Sequence, residues 1–225
     1  MTPQPRNLSS RCFAALLAVC AFAGAAQAAD PSLPADVGSV QDQWADAMYK
    51  TPKAQRAAAL EALAKRAAAA RDAHPKHPGA LIWDGIVLSS LAGEKGGMGA
   101  LGLVKQARKE FEQALALDAN ALSGSAYTSL GSLYYQVPGW PIGFGDDDKA
   151  RTMLKKALQI DPNGIDANYF YADFLRDQGE YKAAAAALEK ALAAPPRPGR
   201  EVADQGRRKE AQTLLATVRT ELAKR

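Results

Sequence analysis

The stretch "IDANYFYADFLRDQGEYKAAAAALEKAL", residues 165–192, decides the fold. Its second half contains the pattern alanine, three residues, leucine, two residues, Ala-Leu, at Ala184, Leu188, Ala191 and Leu192. This spacing places the four side chains on one face of an α-helix. The same pattern, with Phe or Leu at the second position, recurs in "ARKEFEQAL" (residues 107–115) and "ARTMLKKAL" (residues 150–158). The chain is therefore built from repeats.

A second amphipathic helix precedes the patterned one in residues 165–192. Tyr171, Ala172 and Leu175 form its apolar face, and Gly179 provides the turn that follows. Small residues such as Ala172 and Ala184 let two helices approach closely. The sequence predicts that each repeat is a helical hairpin.

This arrangement resembles the tetratricopeptide repeat. The residues that carry the resemblance in the last unit are Asn168, Tyr171, Ala172, Leu175, Gly179, Tyr181, Ala184, Leu188, Ala191 and Pro196. The unit departs from the family pattern at Asn168, where Trp is commonest, and at Ala172, where Gly is. The resemblance implies an all-α, right-handed solenoid of helical hairpins that binds protein or peptide partners.

The repeat pattern divides the chain into segments. Three repeat units are predicted at residues 78–119, 124–162 and 165–196, after a degenerate N-terminal hairpin at residues 29–77. Residues 197–225 are predicted to form a C-terminal capping helix, because a repeat array must shield its last apolar face.

Two of the three units are longer than the last one. Relative to it, the step from Gly131 to Ala150 has seven extra residues, and the step from Gly85 to Ala107 has ten. Both insertions fall at the turn within a hairpin, so the sequence predicts two enlarged loops that lie next to each other on one edge of the array. The glycine-rich insertion, within residues 91–107, is expected to be a flexible connector.

The N-terminal segment has the layout of a secretory signal peptide. Arg6 and Arg11 precede an uncharged, largely apolar run at residues 12–26, and a small-x-small cleavage motif ends at Ala28. We expect cleavage after Ala28 and export to the periplasm. The apolar run is shorter than the roughly 20 residues that span a bilayer, and no later run reaches that length, so no membrane span is predicted.

A lipoprotein signal is the alternative interpretation of this segment. "LAVC" resembles a lipobox that would anchor the chain through a lipid at Cys20, although Val19 fits the motif poorly. Cys12 and Cys20 are the two cysteines of the chain, so cleavage after Ala28 leaves a mature chain without thiols or disulfides. Removal of Arg6 and Arg11 with the signal peptide would lower the formal charge from +4 to +2, which is too small to indicate a nucleic-acid partner.

The sequence offers no convincing catalytic or metal-binding set. The run Asp146 to Asp148 lacks the ligand spacing of a calcium loop, and we expect one of its aspartates to cap the following helix. The basic residues Arg197, Arg200, Arg207, Arg208 and Lys209 alternate with acidic ones and are interpreted as a solvated helix face. We therefore expect no enzyme activity, no cofactor and no metal.

Candidate binding residues follow from the resemblance, which places them on the concave side of each first helix. They are Thr128, Ser132, Tyr135 and Gln136 in one unit, and Tyr169, Asp173 and Arg176 in the next. The Lys and Asn of chaperone-tail-binding repeats are absent from these positions. Trp140 and Phe144, in the inserted segment, either form an exposed platform or pack back on the helices.

These observations lead to one functional expectation and one alternative. The chain is expected to be a non-enzymatic, exported scaffold or adaptor that binds a protein or peptide. The alternative is an accessory small-ligand protein of a transport system, because "GFGDDDKA" (residues 143–150) is similar to a turn in the T-component of TRAP transporters. The oligomeric state is left open.

Overall fold

The computed structural model describes residues 33–224, and its regular secondary structure there is entirely α-helical. The helices of this part of the chain are α1 (Ala35–Tyr49), α2 (Lys53–Ala73), α3 (Pro78–Lys95), α4 (Gly97–Leu117), α5 (Ala121–Gln136), α6 (Asp147–Ile160), α7 (Ile165–Asp177), α8 (Tyr181–Ala193) and α9 (Glu201–Ala223). The predicted all-α class is confirmed. The expected signal peptide and the lipid attachment at Cys20 lie outside the described residues.

Repeated side chains form the seams of the hairpins. The first three positions of each repeated pattern are fully buried: Ala107, Phe111 and Ala114, Ala150, Leu154 and Ala157, and Ala184, Leu188 and Ala191. Glycines on the preceding helices allow the close approach. A Cβ at Gly85 would lie 2.5 Å from Phe111 Cε1, and a Cβ at Gly131 would lie 2.7 Å from Leu154 Cγ.

The two insertions have different structures. Residues 137–146, called the edge loop here, leave the helical array between α5 and α6, as the sequence predicts. The other insertion is not an enlarged loop or a flexible connector, and that prediction is wrong. It lengthens α3 and α4 until Gly96 alone separates them. Leu101, Leu103 and Val104 pack against the core, and this packing stabilises the extra helical turns.

The last helix does more than cap the array. A Cβ at Gly206 would lie 2.2 Å from Cδ1 of Tyr49, and the Tyr49 hydroxyl lies 3.3 Å from Glu210 Oε2. Ala203 is buried in the same apolar cluster as Trp44. Helix α9 therefore contacts α1 as well as α7 and α8, and the two ends of the described array meet.

None of the helices within residues 33–224 is both long enough and apolar enough to cross a membrane.

Candidate functional site

The helices border a partly open cavity of about 560 Å³, called the inner cavity here. Its wall is formed by α1, α3, α4, α5, α7 and α9, by part of the edge loop, and by the segment that leads into α9. Its apolar lining includes Trp44, Trp83, Ile86, Leu101, Val104 and Phe170. Hydroxyl side chains on α3 and α5 also contribute: Ser89, Ser90, Ser125, Thr128, Ser129 and Ser132. The cavity is therefore apolar with a hydroxyl-bearing side.

One end of the inner cavity is charged. Arg197, Arg200 and Arg207 line it together with Asp166. Arg207 Nε donates to Asp166 Oδ1 at 2.7 Å, and Arg197 Nη1 donates to Asp166 Oδ2 at 2.8 Å. Burial alone would raise the pKa of Asp166, but the charges of Arg207 and Arg197 outweigh burial and hold this pKa below its usual value.

Two further carboxylates complete the pairing at this end. Asp204 accepts from the backbone N–H and from Nε of Arg197, both at 2.8 Å. Glu210 Oε2 lies 2.6 Å from Arg207 Nη1. Arg197 and Arg207 are thus each bound by two acidic side chains, whereas Arg200 has a different environment.

Arg200 is half-buried beside an aromatic ring and a neutral amide. Its Nη1 donates to Gln41 Oε1 at 2.9 Å, and its guanidinium carbon lies 5.1 Å from the centre of the Trp83 ring. Among residues 33–224, no carboxylate oxygen lies within 4.0 Å of the Arg200 guanidinium nitrogens, the limit for an ion pair. Burial, followed by the charge of Arg197, lowers the pKa of Arg200.

The sequence missed this arginine cluster. The interpretation of Arg197, Arg200 and Arg207 as a solvated face is wrong, because Arg207 is buried and the other two are half-buried. The small residues Ala203, Gly206 and Ala211 of α9 bring this helix close to its neighbours. Their spacing beside the arginines is compatible with a packed helix but does not by itself distinguish it from a solvated one.

Residues 142–204 match the family model described as "Tetratricopeptide repeat". A solved structure described as "Crystal structure of MamA" is similar, with a TM-score of 0.43 and 18% sequence identity, over 74% of this chain and 91% of that one. Among curated proteins, none matches this chain. The repeat match covers α6, α7 and α8, and α7 carries three of the predicted groove residues.

The predicted groove residues do not form one surface. Thr128, Ser132 and Gln136 of α5 line the inner cavity. Tyr135 instead packs beneath α7, where its hydroxyl donates to Asp173 Oδ2 at 2.8 Å. Burial raises the pKa of Tyr135, and the Asp173 charge adds to the shift.

The groove positions of α7 are engaged by the chain's own side chains. The guanidinium of Arg207, from α9, lies 4.5 Å from the centre of the Tyr169 ring. Arg176 forms an ion pair with Asp173. Helix α9 therefore occupies part of the surface that an open solenoid would offer to a peptide.

The edge loop presents two apolar side chains to solvent. Trp140 is 90% exposed and Ile142 is 67% exposed, and the Trp140–Pro141 peptide bond is cis. Phe144 packs back, with its ring centre 5.8 Å from that of Tyr134 in an edge-on contact. The loop thus combines the two arrangements that the sequence left open.

A basic strip of α4 borders the edge loop. Lys105, Arg108 and Lys109 line a shallow cleft with Ile142 and Phe144. The Arg108 guanidinium lies 5.0 Å from the centre of the Phe144 ring and pairs with Glu112 at 2.7 Å. Lys105 and Lys109 are exposed.

The acidic end of the edge loop caps α6, as the sequence predicts. Asp146 Oδ1 accepts from the backbone N–H of Lys149 at 3.0 Å, and Asp147 and Asp148 lie in the first turn. Within the described residues, no group of three His, Cys, Asp or Glu side chains is placed to hold a metal ion.

Proposed function

We propose that this chain is an exported, non-enzymatic scaffold that binds a protein or peptide partner in the periplasm through its edge loop. The tetratricopeptide repeat match supports a protein-interaction role, since repeats of this type present extended binding surfaces. The signal-peptide pattern of residues 1–28 supports export.

The exposure of Trp140 and Ile142 is the observation that carries this proposal. Large apolar side chains that project together from a monomer surface mark interaction sites, and Trp is enriched among residues that dominate binding energy. The loop is held in shape, because Gly145 N–H donates to Pro138 O at 3.0 Å and Asp146 N–H donates to Tyr134 O at 2.8 Å. A preformed loop loses little conformational entropy when it binds.

The partner surface that fits this edge is apolar at its centre and acidic at its rim. Lys105 and Lys109 of α4 stand beside the loop and would attract carboxylates of the partner. The aromatic and aliphatic side chains of the loop would supply the buried centre of the contact.

The experiment places a photo-crosslinking amino acid at position 140 of the exported protein. The mature protein is expected to begin at Ala29 if cleavage follows Ala28. The crosslinked partner is identified by mass spectrometry, purified, and titrated against the unmodified chain. We expect Trp140→Ala to weaken binding at least tenfold, because the loop loses its largest contact.

Leu117→Ala is the matched control, because Leu117 is a 48% exposed apolar residue outside the edge loop. It should leave the affinity unchanged. Equal affinities of the wild-type chain and Trp140→Ala for the identified partner would remove the edge loop from the proposal.

A second candidate function is an accessory small-ligand protein of a transport system. The inner cavity favours it, since its volume of about 560 Å³ is within the range of small-molecule sites. The similarity of residues 143–150 to a turn of the TRAP T-component supports the same candidate.

A further inference from the structure

Among the described residues, Arg200 is the one arginine of the cavity cluster that forms no close ion pair, although the charges of Asp166, Asp204 and Asp42 act on it. Arg197 and Arg207 hold Asp166, Asp204 and Glu210. An arginine has five N–H donors, and the bond to Gln41 uses one of those of Arg200. The remaining donors can hold an anion from the inner cavity.

The position of Arg200 favours a bound anion over a solvated side chain. Trp83 covers one face of its guanidinium, and the side chain is half-buried. A guanidinium in a partly desolvated site pairs more strongly with a carboxylate than one in water does. Its planar fork also matches a carboxylate in a two-point contact.

The rest of the inner cavity defines the other part of the ligand. Trp44, Ile86, Leu101 and Val104 give the wall an apolar surface, contributed by α1, α3 and α4. A small inorganic anion would leave this surface in contact with water. A ligand that fills the cavity therefore carries an apolar body as well as a charge.

We propose that the inner cavity binds an amphiphilic organic anion, with its head group on Arg200 and its apolar body against α1, α3 and α4. This inference rests on the second candidate function and does not depend on Trp140, which is not part of the cavity lining. The hydroxyls of Thr128 and Ser129 line the α5 side of the cavity, where they would contact polar atoms of the ligand.

The test uses two carboxylates and their uncharged counterparts as probes: octanoate with octanamide, and 4-phenylbutyrate with 4-phenylbutanamide. Titration calorimetry on the mature chain gives the affinities. Fluorescence of the Trp140→Phe variant locates the ligand, because Trp44 and Trp83 are then the only tryptophans and both line the cavity.

At least one carboxylate is expected to bind ten times more tightly than its amide and to change the fluorescence of the two cavity tryptophans. Arg200→Gln should weaken carboxylate binding at least tenfold, about 1.4 kcal/mol, and leave amide binding unchanged. Arg200→Lys keeps the charge but loses the fork, so an intermediate loss is expected. Arg219→Gln is the matched control, because Arg219 is an exposed arginine on α9 paired with Glu189.

Two results would overturn the inference and differ in what they imply. If each amide binds as tightly as its carboxylate, the cavity is a ligand site of another class and the second candidate function stands. If no probe binds, both fail. Circular dichroism and thermal melting check the fold of each variant, and Arg200→Lys decides the matter if Arg200→Gln does not fold.

Discussion

The two insertions occupy the same position in neighbouring hairpins and have opposite structures. Ten extra residues between Gly85 and Ala107 become helix, with Gly96 as the sole residue between α3 and α4. Seven extra residues between Gly131 and Ala150 remain outside the helices as the edge loop. The length of an insertion therefore does not decide whether it forms a loop.

Proline and packing account for the difference. The edge loop contains Pro138 and Pro141, and an interior proline costs a helix about 3 kcal/mol. The longer insertion contains glycines, each costing about 1 kcal/mol, but no proline. Its residues Leu101 and Val104 pack against the core, and this burial offsets the cost of the glycines.

The two insertions contribute differently to the surfaces of the molecule. The lengthened α4 adds Leu101 and Val104 to the wall of the inner cavity. The edge loop brings Trp140 to the outside. The edge loop also contributes Val137, Pro138 and Ile142 to the cavity wall, so it borders the candidate ligand site as well as forming the candidate docking site.

We expect the buried contact between Phe111 and Gly85 to stabilise the α3–α4 hairpin independently of the structure of its insertion. Phe111→Ala is expected to lower the free energy of unfolding by about 3–5 kcal/mol, because Phe111 is fully buried against Gly85. Urea unfolding followed by circular dichroism measures the effect. Leu154→Ala, at the same place in the α5–α6 hairpin, should cost about 2–5 kcal/mol. A cost near zero for Phe111→Ala would mean that the insertion and not the seam holds this hairpin.

The two hairpins also differ in a buried acidic residue, Asp84. Asp84 precedes Gly85 as Leu130 precedes Gly131, yet Asp84 is only 1% exposed. Arg71 Nη1 lies 3.3 Å from Asp84 Oδ2 and 2.8 Å from Glu110 Oε1. Burial raises the pKa of Asp84 to about 6, despite the opposing charge of Arg71.

This raised pKa predicts a loss of stability with rising pH. Folded Asp84 holds its proton up to about pH 6, whereas the unfolded side chain releases it near its usual pKa of 3.8. The contribution of protonated Asp84 to the free energy of unfolding is full below pH 4. It is lost as the pH rises to 6, by an amount on the order of 3 kcal/mol. Urea unfolding of the wild type and Asp84→Asn at pH 4.5 and 7.5 measures it. The variant should lose less stability over this interval, and parallel changes in the two proteins would contradict the shifted pKa.

Much of the repeat architecture was predictable because it depends on local periodicity. The spacing of Ala150, Leu154 and Ala157 fixes one face of a helix, and all three are buried. The capping role of Asp146 was predictable for the same reason, since the cap contacts a backbone group three residues away.

The candidate cavity was not predictable because it depends on contacts between distant parts of the chain. Arg200 meets Gln41 across 159 positions, and Tyr49 meets Gly206 only because α9 returns to α1. The pattern around Arg207 fits a solvated helix equally well. The helical insertion is not evident from the sequence because its glycines disfavour a helix, whereas the packing of Leu101 and Val104 that stabilises it depends on other helices.

The smallest expected effect concerns Gly96, the single residue between α3 and α4. Gly96 has φ 61° and ψ −178°, a region that L-residues with a side chain rarely enter. Gly96→Ala is expected to lower the free energy of unfolding by about 1–3 kcal/mol because of backbone strain, although a Cβ there would meet no atom within 4 Å.

Gly139→Ala in the edge loop is the matched control. A Cβ at Gly139 would lie 3.5 Å from Gly145 O, an ordinary contact, and the φ of Gly139 is not positive, so its effect should stay within about 0.5 kcal/mol. Urea unfolding of both variants decides the comparison. A helical insertion without a loop requires the strained backbone of Gly96. Equal losses of stability in the two variants would show that this one-residue junction is no more constrained than the edge loop.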